Sequence, residues 1–152
     1  MAIPTINYSA AMDPGYPGMI ATTEPHWIVS AIVALTSAAV PFGSAVVYGT
    51  TDDVVALPTA GGVFAGICVA DRMQPSEANA SIPPGKQIGV MKTGPMWVLA
   101  AATVKAGDPV SMTATGGLST GTGTGLTPIV GAEWASSASS GGLARLRLGV
   151  TR

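Results

Sequence analysis

Charged side chains are scarce in this sequence of 152 residues. Asp, Glu, Lys and Arg make up 10% of the chain, against about 25% in an average soluble protein, and hydrophobic residues make up 47%. A folded subunit needs charged surface to stay dispersed, because exposed apolar patches associate in water. The composition therefore indicates either a membrane protein or a protein whose surface is covered by partners.

Long apolar runs are also missing. The longest weakly polar stretch extends from Trp27 to Val40 and is interrupted by serine and threonine, whereas a membrane-spanning helix needs about 20 apolar residues. The first residues carry no basic group ahead of an apolar run, so a secretory signal peptide is not expected. We expect no membrane association, and covered surface becomes the better explanation of the composition.

Residues that carry chemistry are few. Cys68 is the only cysteine, which excludes an intrachain disulfide and fits assembly in a reducing cytoplasm. His26 is the only histidine, no G-x-S-x-G motif occurs, and the carboxylates are scattered along the chain. We therefore expect no enzymatic activity, no cofactor and no metal site, and we interpret His26 and Cys68 as packing residues.

Basic residues are also too few to bind a phosphate backbone. The net charge is −1, and Arg145, Arg147 and Arg152 form the only basic concentration. A solvated strand face followed by a chain terminus explains these three arginines. We expect no nucleic-acid partner.

Glycine and proline, in contrast, are abundant. The 20 glycines and 12 prolines divide the chain into short segments rich in β-branched residues, which is typical of an all-β fold, either an antiparallel barrel or a jelly-roll-like sandwich. Even the best helical candidate, Trp27–Thr36, contains Ile, Val and Thr that favour strand. Gly116–Gly125 is interpreted as a mobile hairpin loop. The strands expected most clearly are Ser44–Gly49, Val63–Val69, Gln87–Met91, Met96–Ala101 and Leu143–Val150, with a break at Gly94–Pro95.

The first 26 residues form a separate segment in this prediction. Repeated prolines and glycines prevent a regular ladder, yet the segment is too apolar to remain solvated. We expect residues 1–26 to be an extended N-terminal arm, lying on its own domain or on a neighbouring subunit, and residues 27–152 to be the β-domain. Large apolar residues of the arm and two tryptophans are the candidate interface residues: Tyr8, Tyr16, Met19, Ile20, Trp27 and Trp134. A partly buried core position is the alternative for each tryptophan.

A weak internal repeat is also visible. Val40–Val46 and Val104–Val110 both follow the pattern V-x-x-G-x-x-V, and Ile82-Pro83-Pro84-Gly85 resembles a third, degenerate copy. A glycine at the centre permits a tight turn between two strands. The recurrence predicts duplicated hairpin units around one barrel, with chance similarity in a glycine-rich chain as the alternative.

These features, in this order, resemble the structural cement (decoration) proteins of tailed-bacteriophage heads. The resemblance is carried by the arm from Gly15 to Ala21, by Val40–Val46, Phe64–Ile67, Val104–Val110 and Ile129–Ala132, and by the closing Gly141–Leu148. It implies an all-β, non-enzymatic protein without cofactor that clamps neighbouring capsid subunits on the outside of the assembled head.

The resemblance also implies partners and a location. The expected partners are the major capsid protein and further copies of the chain, as a dimer or trimer. The protein would be made in the host bacterial cytoplasm and reside on the capsid exterior. The alternatives are a phage fibre, tail or baseplate subunit, a β-rich sugar-binding module, and a small enzyme.

Overall fold

The computed structural model describes residues 15–71 and 81–150, and every structural statement below refers to these ranges. Within them, regular structure consists of strands, without a helix. This confirms the all-β prediction. The strands are β1 Trp27–Val33, β2 Val40–Pro41, β3 Ala45–Tyr48, β4 Val54–Ala56, β5 Phe64–Cys68, β6 Ser81–Ile82, β7 Gln87–Leu99, β8 Pro109–Thr113, β9 Leu118–Ser119, β10 Leu126–Trp134 and β11 Leu143–Leu148.

Nine strands form one sheet in the order β1-β4-β3-β5-β7-β11-β10-β8-β9, and β2 pairs separately with β6. A further pairing between β1 and β7 closes β1, β4, β3, β5 and the start of β7 into a small barrel, which we call the first half of the fold. The end of β7 together with β11, β10, β8 and β9 is the second half. Most pairings are antiparallel, as predicted, but β1 and β4 run parallel. The barrel is therefore mixed.

Strand β7 is the longest element and belongs to both halves of the sheet. Residues Gln87–Met91 pair with β1 and β5, and residues Gly94–Leu99 pair with β11. The predicted break at Gly94–Pro95 is wrong, because Gly94 bends the strand without ending it. Gly94 has φ +121°, and a Cβ there would lie 2.5 Å from the Cβ of His26. Only glycine fits this bend, at which β7 exchanges its partners.

The repeated turns were predicted correctly. Gly43 and Gly107 have φ of +75° and +92°, and Gly85 in the degenerate third copy has φ +78°. Each turn starts and ends at a buried residue, so the same side-chain pattern enters the core each time. A fourth turn of the same kind, at Gly141 with φ +80°, was not recognised because Ala138 and Ala144 replace the valines.

Hydrogen bonds show that the repeat extends to the two halves of the domain. In each half, the turn glycine donates to the last residue of a strand, and that residue donates back to the residue after the glycine. The bonds are Gly43 N to Cys68 O (2.9 Å), Cys68 N to Ser44 O (2.9 Å), Gly107 N to Trp134 O (2.7 Å) and Trp134 N to Asp108 O (3.0 Å). Strands β3 and β5 therefore correspond to β8 and β10.

The same comparison relates β1 to the second part of β7. Val33 and Ala100 each accept from a turn glycine and donate to the next residue of that turn. These bonds are Gly85 N to Val33 O (2.8 Å), Val33 N to Lys86 O (3.0 Å), Gly141 N to Ala100 O (2.7 Å) and Ala100 N to Gly142 O (2.9 Å). In this register Ser30 corresponds to Trp97 and Ile28 corresponds to Pro95, because Ile88 and Ala144 both follow their turns by the same interval.

Two groups of buried side chains form the core. One fills the first half and includes Val33, Val46, Cys68, Ile82 and Ile88. The other lies between the halves and within the second half. Strand β11 alternates as predicted, with Ala144, Leu146 and Leu148 buried and the two arginines between them outside. Strand β5 is nearly buried on both faces, also as predicted.

Candidate interaction surface

Residues 15–24, which belong to the predicted arm, lie against strands of their own chain. Their backbone continues the sheet along the free edge of β7. Gly18 N donates to Trp97 O (2.8 Å), Trp97 N donates to Met19 O (2.8 Å), and Ala21 N donates to Pro95 O (3.2 Å). Gly18 also accepts from Ala70 N (2.9 Å), so the segment is joined to the chain beyond β5 as well.

Glycine makes this close approach possible. Gly18 has φ +83°, and a Cβ there would lie 2.7 Å from the backbone nitrogen of Ala70. A Cβ on Gly15 would lie 2.6 Å from the indole ring of Trp97. Both glycines therefore permit backbone to pack directly on the domain, where any larger residue would hold the arm away.

An ion pair holds the end of this segment. Arg147 Nη2 lies 2.6 Å from Glu24 Oε1, and its Nε donates to Glu24 Oε2 at 3.2 Å. Both side chains remain more than two fifths exposed, so the pair contributes at most about 1 kcal/mol. The pair gives Arg147 a role that its sequence position on an outward strand face did not indicate.

Three of the predicted interface residues lie in the segment of residues 15–24. Tyr16, Met19 and Ile20 are half-buried, and Ile20 pairs with Met96 and packs against the core. Tyr8 lies outside the described residues. Residues 15–24 thus lie against their own chain, and the division into an arm of residues 1–26 and a β-domain of residues 27–152 stays a prediction.

Trp134 does not belong to the surface. Its side chain has no exposed area, and its Nε1 donates to Ser119 O at 3.1 Å. The prediction of Trp134 as an interface residue is therefore corrected: it is a core residue of β10. The β10 strand ends inside the second half of the sheet, where a large ring with one hydrogen-bond donor fills the interior and reaches the backbone of β9.

Trp27 is the predicted interface residue that the structure places on the surface, with 60% of its area exposed. Three more large apolar residues that follow it in the sequence are exposed as well. Ile28, Ile32 and Leu35 are exposed by 36%, 48% and 84%. We call these four residues the β1 apolar strip. The sequence has no charged residue between Trp27 and Thr51, so the strip lies in its longest uncharged part.

Other large exposed apolar residues are scattered over the domain. Tyr48, Val63, Leu99 and Val130 each expose more than half of their area. Tyr48 is partly engaged, since Lys92 Nζ lies 2.7 Å from its hydroxyl oxygen and 4.4 Å from its ring centre. Among the described residues, four of the eight large exposed apolar side chains thus lie within β1 or just after it.

The described residues that could take part in catalysis or metal binding do not form a common site. Cys68 is buried, and burial raises the pKa of its thiol to about 12. The exposed His26 ring has its Nδ1 3.1 Å from the carbonyl oxygen of Glu24. No group of three or more His, Cys, Asp or Glu residues converges within residues 15–71 and 81–150. In the same ranges, no helix is long and apolar enough to cross a membrane.

Comparison with solved structures identifies the fold. The chain is similar to a chain in the structure titled "The capsid of Myoviridae Phage XM1", with a TM-score of 0.77 and 15% identity, covering 95% of this chain and 97% of that one. It is less similar to the head fiber gp8.5 N base of bacteriophage phi29, with a TM-score of 0.48 and 15% identity, covering 82% of this chain and 94% of that one. The fold is thus one that occurs in a phage capsid.

A family model described as "Structural cement protein (E217 gp24/Pam3 gp6)" matches residues 3–149. Because the match spans nearly the whole sequence, the chain belongs to the phage structural cement protein family, and its role is that of a structural protein of the capsid. This confirms the family and the role predicted from the sequence. No protein of curated function matches the chain significantly.

Proposed function

We propose that this protein binds the outer surface of an assembled phage head as a homo-oligomer and clamps neighbouring copies of the major capsid protein. The observation that carries the proposal is the β1 apolar strip in a member of the cement family. Four large apolar side chains that are exposed within β1 or just after it, in the longest uncharged part of the sequence, favour burial against protein. The strip includes Trp27, which is the one predicted interface residue that is both described and exposed.

Binding to the assembled head alone would stabilise it by mass action. A ligand that binds only one state stabilises that state by roughly 3–4 kcal/mol at 100 to 1,000 times its dissociation constant. An oligomer that contacts several capsid subunits gains avidity of roughly 10²–10⁴ over one contact. Modest individual contacts are therefore sufficient for a clamp.

The remaining roles are proposed on the same basis. The protein acts without catalysis, cofactor, nucleic acid or membrane, and it is made in the host cytoplasm before joining the virion exterior. Residues 27–152 form the β-domain, and residues 1–26 form the arm. Residues 15–24 fix the arm to its own domain, and the preceding residues serve contacts between subunits.

The test uses heads assembled without this protein. The purified chain is added to these heads and, separately, to unassembled capsid protein, and binding is measured by co-sedimentation. We expect saturable binding to heads only, together with a higher temperature of head disassembly. Equal binding to unassembled capsid protein, or saturation without any gain in head stability, would refute the clamp.

A variant pair connects the binding to the strip. Leu35→Lys places a charge on the most exposed strip residue, and Ser139→Lys places the same charge on an exposed turn in the other half of the domain. We expect Leu35→Lys to weaken head binding at least tenfold and Ser139→Lys to leave it unchanged. Both variants should keep the wild-type unfolding temperature, because both side chains are exposed.

A further inference from the structure

Within residues 15–71 and 81–150, the outward edge of β1 is open at Ile28 and Ser30. Ile32 N donates to Asp53 O (2.8 Å), and within β1 only Ile32 and Val33 pair with β4. Backbone groups of alternate residues in a strand point to the same side, so Ile28 and Ser30 direct their N–H and C=O groups to this edge. Ser30 is exposed, and the edge borders a groove of about 190 Å³ that Tyr48 also lines.

The second half of the domain shows how such an edge is covered. Trp97 and Pro95 correspond to Ser30 and Ile28, and their outward backbone groups bond to the arm segment between Gly18 and Ala21. One half of the duplicated fold therefore carries an added extended segment, and the other half presents the same edge without one in the described structure.

The open edge lacks two of the features that usually protect an edge strand, namely charge and proline. Natural edges carry charges, prolines or bulges that prevent pairing with another chain. Between Trp27 and Val33 there is no charge and no proline, and the irregularity between Trp27 and Ile28 precedes the open positions. Such an edge favours addition of a strand.

We propose that residues 5–12 of a second copy of this chain add to the edge of β1 at Ile28–Ser30. This stretch precedes the arm segment that covers the corresponding edge, and it contains no glycine, proline or charge. Residues 5–10 alternate as a strand does, with polar Thr5, Asn7 and Ser9 each followed by an apolar residue, and Ala11 and Met12 continue the stretch without a polar residue.

Strand addition from a second copy agrees with the length of the N-terminal segment and with the low charge content of the chain. Residues 1–14 could extend over roughly 45 Å at about 3.3 Å per residue, which is enough to reach a neighbouring subunit. Strand exchange between copies would also explain how a chain with so few charges covers its apolar surface. The inference rests on the proposed homo-oligomer and names the contact that forms it. It is tested on the free protein without heads, so its failure would leave head binding to be judged separately.

The first test changes the edge in the full-length chain. Ser30→Pro removes the outward N–H, and Ser30→Ala keeps it while removing only the hydroxyl group. Analytical ultracentrifugation should show at least a tenfold weaker self-association for Ser30→Pro and no change for Ser30→Ala. Equal association of a folded Ser30→Pro variant and the wild type would overturn the proposal.

The second test changes the segment and does not depend on a proline being tolerated. Tyr8→Lys places a charge on the apolar face of residues 5–12, and Asn7→Lys places it on the polar face. We expect Tyr8→Lys to weaken self-association tenfold or more and Asn7→Lys to change it less than twofold. Equal effects, or none, would overturn the assignment of this segment.

Amide hydrogen exchange identifies which copy supplies the segment. The Ser30 amide of the wild-type chain should exchange slowly above the dissociation constant of the oligomer and rapidly below it. Slow exchange in the monomer would show that the edge is covered within one subunit and would overturn the proposal. Rapid exchange in the oligomer would overturn it as well.

Discussion

Gly18→Ala should release the arm from the domain, because Gly18 is the point of closest contact between them. The substitution adds a Cβ at φ +83°, 2.7 Å from Ala70 N and 3.1 Å from Gly43 N. Both contacts are to backbone, which cannot move aside as a flexible side chain would. Gly141→Ala is the matched control, since Gly141 has φ +80° and a Cβ there meets nothing within 4 Å.

Gly18→Ala should lower the free energy of unfolding more than Gly141→Ala does, because only Gly18→Ala also breaks contacts of the arm. A left-handed backbone costs a residue with a Cβ about 1–2 kcal/mol, and both variants bear this cost. Gly18→Ala additionally displaces the bonds from Gly18 N to Trp97 O and from Ala70 N to Gly18 O. At about 1 kcal/mol net for each bond, we expect a total loss near 3–4 kcal/mol for Gly18→Ala.

Urea denaturation measures the two losses, and amide exchange locates them. The amide of Trp97 donates to Met19 O, so its exchange should accelerate in Gly18→Ala and stay slow in Gly141→Ala. Equal destabilisation of the two variants, with a protected Trp97 amide in both, would refute the account of how the arm is held.

Further predictions concern three side chains. Trp134→Ala should cost about 3–5 kcal/mol in urea denaturation because it opens a cavity, and a loss under 1 kcal/mol would contradict its core position. Trp27→Ala should change the free energy of unfolding by less than about 0.5 kcal/mol, since the ring is exposed, and a larger loss would show that it supports the domain. The pKa of the Cys68 thiol rises from 9.0 to about 12 on folding, so the unfolded thiol ionises first as pH increases. Stability should therefore fall above pH 9, by about 2 kcal/mol at pH 10.5 from this group alone. Cys68→Ala lacks this contribution and should show the shallower pH profile in urea denaturation; identical profiles would contradict the burial of the thiol.

The sequence was most informative where a local pattern has one structural solution. The V-x-x-G-x-x-V turns and the alternation in β11 were predicted because glycine at positive φ and a period of two leave few alternatives. The break at Gly94–Pro95 was wrong for a related reason. Glycine and proline usually end a strand, but here two different partner strands hold β7 on either side of the bend.

The surface was harder to predict because exposure is a property of the assembled fold. Trp27 and Trp134 are indistinguishable by residue type, yet one lies on an open edge and the other fills the core. The correspondence between β1 and the second part of β7 also has no sequence signal, since Ser30 and Trp97 share only their place in a backbone hydrogen-bond pattern. Pairing between strands that are distant in sequence decides both the exposure of the two tryptophans and the correspondence of the two strands. No local sequence pattern encodes that pairing.

Electron cryo-microscopy of heads that carry this protein tests the central claim most directly. We expect density for the β-domain on the outside of the shell, arranged as symmetric oligomers that each contact more than one major capsid subunit. The β1 apolar strip should be buried in those contacts. Density confined to the tail or the shell interior, or single copies that touch only one capsid subunit with the strip exposed, would contradict it.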